Sequence, residues 1–83
     1  MKITLKYFAS IREAVGQGSE DWTTQATTVA GLRDELLARG EPYEQALARG
    51  RAVRMALNQA VCDESATLTP SCEVAFFPPV TGG

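Results

Sequence analysis

The stretch Cys72-Glu73-Val74-Ala75-Phe76-Phe77-Pro78-Pro79-Val80-Thr81-Gly82-Gly83 decides how this chain is read. Its first half is strand-like. Val74 and Phe76 fall on one face, and Glu73, Ala75 and Phe77 on the other, the period-two pattern of a half-buried strand. The second half cannot continue that strand. Each proline fixes φ and removes a backbone donor, so Pro78-Pro79 directs the chain outward in an extended, polyproline-like conformation. Gly82 and Gly83 lack a Cβ and form a backbone thin enough to enter a narrow cleft on another protein. The sequence therefore predicts a body over residues 1–77 and an extended tail over 78–83. Small residues at a terminus often mean only fraying. Here an aromatic strand and two prolines aim them, and the inferred reactive group is the carboxylate of Gly83.

Working back from that strand, Lys2 to Ala9 alternates in the same way, with Ile3, Leu5, Tyr7 and Ala9 expected inward. Ser10 and Glu13 have the spacing of a capping box for a short helix that Gly16 ends. Ser19 to Gln25, around Trp22, reads as a second strand. Thr28 is the expected N-cap of the main helix, whose apolar positions are Val29, Leu32, Leu36 and Leu37. Its charged residues Arg33, Asp34, Glu35 and Arg39 are expected to point mostly away, and Gly40 to stop it. Glu41 to Arg49 suggests a further short helix with Pro42 in its first turn. Ala52 to Asn58 alternates again, Asn58-Gln59 turns the chain into a short strand at Ala60 to Cys62, and Asp63 to Ser71 reads as a loop around Leu68. Strands flanking one amphipathic helix suit an α+β domain with a single mixed sheet, a β-grasp or ubiquitin-like layout.

Composition narrows the function. Eight basic and ten acidic residues leave a net charge of −2, and no basic stripe is interleaved with aromatics, which argues against nucleic-acid binding. No apolar stretch approaches a membrane span and no charged start precedes an apolar run, so a cytoplasmic protein without membrane contact is expected. Cys62 and Cys72, in a chain without histidine, make neither a metal set nor a thiol-base pair, so no metal is expected. A domain this small that carries no general base supplies a group and leaves proton transfer to a partner.

Two aromatic residues fall on faces that should meet solvent, Phe8 in the first strand and Phe77 in the last. In a β-grasp sheet those strands lie side by side. The two rings are then expected to form an apolar patch at the root of the tail, with Val61 a candidate third member. Single exposed hydrophobes are common, and a bulge can turn one inward. A patch beside a reactive terminus is better explained as a docking surface.

The chain resembles the small, sulfur-carrier subunits of molybdopterin synthase along nearly its full length. The resemblance rests on Phe8-Ala9, Arg12-Glu13 and Gly16, on Thr28-Val29 and Leu32, on Leu57-Asn58-Gln59, and above all on Glu73 to Gly83. It implies that an adenylating enzyme using ATP activates the Gly83 carboxylate, and that sulfur transfer then yields a thiocarboxylate. It further implies that the large synthase subunit receives Pro78, Pro79, Val80, Thr81 and Gly82 in its active site. Sulfur would pass there to a cyclic pyranopterin precursor, in a heterotetramer of two small and two large subunits. No cofactor is expected on the carrier itself. A thiamine-type sulfur carrier and a ubiquitin-like protein modifier, both ending in Gly-Gly, are the alternatives. The family commonly has a Gly-Asp turn where this chain has Ser71-Cys72, which puts that turn's geometry in question because serine tolerates positive φ less well than glycine.

Overall fold

The computed structural model describes residues 1–79; the sites expected at Val80, Thr81, Gly82 and Gly83 lie outside the described residues. The elements are β1 (Lys2–Tyr7), α1 (Ala9–Val15), β2 (Ser19–Thr23), α2 (Val29–Leu37), α3 (Tyr43–Leu47), β3 (Arg54–Leu57), β4 (Ala60–Cys62) and β5 (Glu73–Phe77). The strands form one five-stranded sheet in the order β2-β1-β5-β3-β4. β1 and β5 run parallel at its centre, and every other pairing is antiparallel. This is the mixed sheet and helix arrangement of the β-grasp.

Alternation in the central strands sorts side chains between two unlike faces. Ile3, Leu5 and Tyr7 from β1 and Val74 and Phe76 from β5 are buried against Val29, Leu32 and Leu36 of α2 and Leu47 of α3. Thr28 caps α2, its hydroxyl accepting from the Gly31 N–H at 3.3 Å. Gly40 turns the chain after the helix at φ 80°, in the left-handed region where glycine carries no Cβ penalty. The β3–β4 hairpin turns through Asn58 and Gln59, both at positive φ. The Asn58 Oδ1 accepts from the Glu73 N–H at 2.9 Å, tying the hairpin to the start of β5.

Three expectations are corrected. β1 ends at Tyr7, and Ala9, expected inward, is exposed with φ 50°. The Ser10–Glu13 capping box does not form: Phe8 takes the N-cap position without a side-chain cap bond, and its carbonyl receives the Ile11 and Arg12 N–H groups. Its own N–H is held by the Phe76 carbonyl, so strand pairing reaches one residue further and starts the helix earlier than the side-chain pattern suggests. The charged face of α2 is also engaged. Arg33 is 4% exposed and donates to the Leu47 and Ala48 carbonyls at 2.8 and 3.0 Å, satisfying groups left open at the end of α3. The Glu35 carboxylate accepts from Trp22, Thr24 and the Gln25 N–H.

Candidate functional site

β5 lies between β1 and β3 and leads directly to the tail, so the root of the tail has a neighbouring strand on each side. Phe76 and Phe77 divide between the faces. Phe76 is fully buried and stacks on Tyr7 with ring centroids 6.2 Å apart. Phe77 is half-buried on the opposite face, in register with Arg54 of β3. Because the Phe8 N–H donates to the Phe76 carbonyl at 3.1 Å, Phe8 follows β1 onto this same outer face, where it is 48% exposed.

The floor between these rings is made of methyl groups. Ala75 of β5 pairs with Ala56 of β3, and both are buried although they face away from the helices. Phe8, Phe77, Pro78 and Pro79 stand around them and line an open groove of about 490 Å³, with Gln59 and Glu73 at the end away from the tail. Val61, in register with Ala56, is 71% exposed on the same face but lies one strand beyond the groove lining. The fold thus gathers Phe8, Phe77, Pro78 and Pro79 at one place and sets Val61 beside them. Ala56, Ala75 and Gln59 were missed from the sequence. Small residues carry no signal of their own, and the Ala56–Ala75 pairing exists only once β3 and β5 are in register.

Pro78 and Pro79 also line a second, more polar cleft on the helical side, together with Ile11, Ala46, Val53 and Arg51. Pro78 and Pro79 therefore lie between two concave surfaces.

Behind the groove, a polar cluster holds the inner face of β1. The Glu20 carboxylate accepts from the Tyr7 and Tyr43 hydroxyls at 2.8 and 3.0 Å and from Arg39 at 3.1 Å. Burial alone would raise this carboxyl, but the hydrogen bonds from Tyr7, Arg39 and Tyr43 hold it below the ordinary carboxylate range. Burial, then the bond to Glu20, pushes the Tyr7 hydroxyl well up, so Tyr7 stays a neutral donor. The Arg39 guanidinium lies over the Tyr43 and Trp22 rings, 3.9 and 4.6 Å from their centroids, closing the cluster.

The outer groove is suited to binding rather than bond-making. Among the described residues that line it, Glu73 is the one ionisable side chain. Cys72 is 2% exposed within the core and does not line the groove. Burial, with the Asp63 charge, raises the half-buried Cys62 thiol and makes it a weaker nucleophile at neutral pH. Among the described residues no group of three or more histidine, cysteine, aspartate or glutamate side chains gathers as a metal site. Nor is any described helix long and apolar enough to cross a membrane.

Comparison with known proteins places the chain. The ThiS family model matches residues 5–83. The molybdopterin synthase sulfur carrier subunit of Escherichia coli is 38% identical over 81 residues, covering 98% of this chain and 99% of that protein. In the solved complex of subunits 1 and 2 of the molybdopterin-converting factor from Helicobacter pylori, one chain matches at 25% identity with a TM-score of 0.67, over the full length of both. The small archaeal modifier protein 1 of Methanosarcina acetivorans shares the fold, with a TM-score of 0.78 at 20% identity, over 99% of this chain and 96% of that one. Matched from its first strand to its last glycine by one family model, and over nearly its whole length by a curated relative, the chain belongs to the ThiS family.

Proposed function

We propose that this protein is the sulfur-carrier small subunit of molybdopterin synthase, working in the cytoplasm and binding no cofactor of its own. An adenylating partner joins the Gly83 carboxylate to the AMP of ATP, releasing pyrophosphate. Sulfide, as HS⁻, then attacks the acyl carbon and displaces AMP, and loss of its proton leaves a thiocarboxylate. Activation is required because a carboxylate's charge repels nucleophiles, whereas the acyl-adenylate has a good leaving group. Covalent attachment then turns delivery of a reactive sulfur into a docking problem, since the thiocarboxylate is positioned when the body binds. The large synthase subunit receives the tail, and sulfur passes to a cyclic pyranopterin precursor within an assembly of two small and two large subunits.

The observation that carries this reading is the whole-length likeness to sulfur carrier subunits, 38% identical in the Escherichia coli case. The outer groove supports it independently: an apolar surface at the base of the tail lets a partner grip the body while the terminus enters its cleft. Intact-mass analysis before and after incubation with the adenylating enzyme, ATP and a sulfur donor tests it. The expected product has one oxygen replaced by sulfur at Gly83. A variant extended beyond Gly83 and left unprocessed is expected to support no pterin sulfuration. An isopeptide to a target lysine in place of the thiocarboxylate would identify a protein modifier instead.

A further inference from the structure

Charge on the outer face of the sheet is arranged unevenly. Across one row of this face, Lys6 of β1 is in register with Ala75, which pairs with Ala56, which pairs with Val61. In the next row, nearer the tail, Arg54 pairs with Phe77. The two cations therefore flank the alanine floor and the Phe77 ring from opposite sides. Further from the tail the sign reverses, with Glu73 beside Thr4 and Asp21 beside Thr4 on its other side.

The ion pairs of the described residues are Lys2–Asp21, Arg39–Glu20, Arg49–Asp34 and Arg49–Glu64, so neither Lys6 nor Arg54 has a carboxylate at ion-pair distance among them. Arg12, Arg33 and Arg51 also lack an ion pair among the described residues, so what sets Lys6 and Arg54 apart is their place on either side of the apolar groove.

We infer that Lys6 and Arg54 form a cationic rim that selects a docking face on the large synthase subunit carrying an apolar side chain flanked by carboxylates. The inference rests on the sulfur-carrier reading and adds the chemistry of the partner. The alanine floor leaves room for one inserted apolar side chain, with the Phe8 and Phe77 rings as its walls. Lys6 and Arg54 lie outside the floor, where water still reaches them. Charges so placed act mainly on encounter: they accelerate association with a partner of opposite sign and slow it with one of like sign, while the apolar contact sets dissociation. Glu73, at the far end of the groove, opposes the same attraction.

The test measures association of the carrier with its own purified large subunit by stopped flow across a range of salt. The wild-type rate constant is expected to fall as salt rises. Lys6→Glu combined with Arg54→Glu is expected to lower it about ten-fold or more at low salt and to leave little salt dependence. Lys6→Arg should retain the wild-type rate, and Glu73→Lys should raise it, an increase that damage to the fold would not produce. Lys6→Gln with Arg54→Gln, checked by thermal melting, gives an intermediate rate if charge is the cause. A salt-independent wild-type rate, or a double reversal that changes it less than about two-fold, overturns the inference and leaves the sulfur-carrier reading standing. Thiocarboxylate formation is scored separately by mass. If the wild-type carrier forms the thiocarboxylate but does not bind the large subunit, both this inference and the synthase assignment fall.

Discussion

The two faces of the sheet are built from the same strands and solve opposite problems. The inner face buries Tyr7, Val74 and Phe76 under the helices and joins Tyr7 to the Glu20–Arg39–Tyr43 cluster. The outer face keeps a floor of alanines and leaves Phe8, Phe77 and Val61 at the surface. Phe76 and Phe77 are adjacent in the chain, yet one is core and the other is rim. Apolar residues on the inner face stabilise the fold through the area they remove from water on folding. The outer face's apolar area remains available, and a partner can bury it on binding. A carrier that must dock and release repeatedly needs both, and strand alternation supplies them from one segment.

Substitutions at this pair separate the faces most sharply. Phe76→Ala is expected to destabilise the protein by about 3–5 kcal/mol in guanidinium denaturation, since it leaves a cavity between Tyr7 and the helices. Phe77→Glu should leave the circular-dichroism spectrum intact while weakening binding to the large subunit by about 2 kcal/mol or more, roughly thirty-fold. Unfolding of Phe77→Glu would break the comparison, because the outer ring would then be core.

Glu20→Gln sharpens the inner side. It removes a charged acceptor shared by Tyr7, Tyr43 and Arg39 and is expected to cost about 1–3 kcal/mol at neutral pH. Glu20 and Glu35 both titrate below the ordinary value of 4.5 in the folded protein. At low pH the unfolded chain binds these protons first. Their contribution to stability is therefore complete above that value and is lost as pH falls through the lower folded values. Urea midpoints measured between neutral and acidic pH should decline along this limb, with a shallower decline in Glu20→Gln.

The smallest effect concerns the entry to β5, which both faces share. Ser71 occupies the left-handed region at φ 65°, where the glycine common in this family's turn carries no Cβ penalty. Ser71→Gly keeps the N–H that donates to the Lys2 carbonyl and is expected to raise stability by roughly 0.5–1 kcal/mol, read as a higher melting temperature. A loss of stability would mean that the serine is held there by more than the backbone.

Much of this division was legible before any coordinates. Alternation assigned Ile3, Leu5, Val74 and Phe76 to the core and left Phe8 and Phe77 as misfits, because the period of a strand is a local property. Thr28, Gly16 and Gly40 acted as expected because caps and left-handed turns depend on a residue's own chemistry. The failures share a cause as well. Arg33 is polar on a helix face and was expected outside, yet the open carbonyls at the end of α3 draw it inward, and no local pattern contains α3's position. Ser10 had the spacing of a cap, but the pairing of Phe8 with Phe76 starts α1 earlier.

The sequence alone determined the strand and helix pattern, the stiff proline exit from β5 and the residues that do not suit a core, since these depend on side-chain period and backbone restriction within a few positions. Only the tertiary structure decided that Ala56 and Ala75 form one floor, that Lys6 and Arg54 stand on either side of it, that Arg33 is buried against the α3 carbonyls, and that the partly buried Glu20 gathers Tyr7, Tyr43 and Arg39. These are contacts between segments distant in the chain. The free energy that selects them comes from packing and hydrogen bonding across the assembled sheet, and no single segment holds that information.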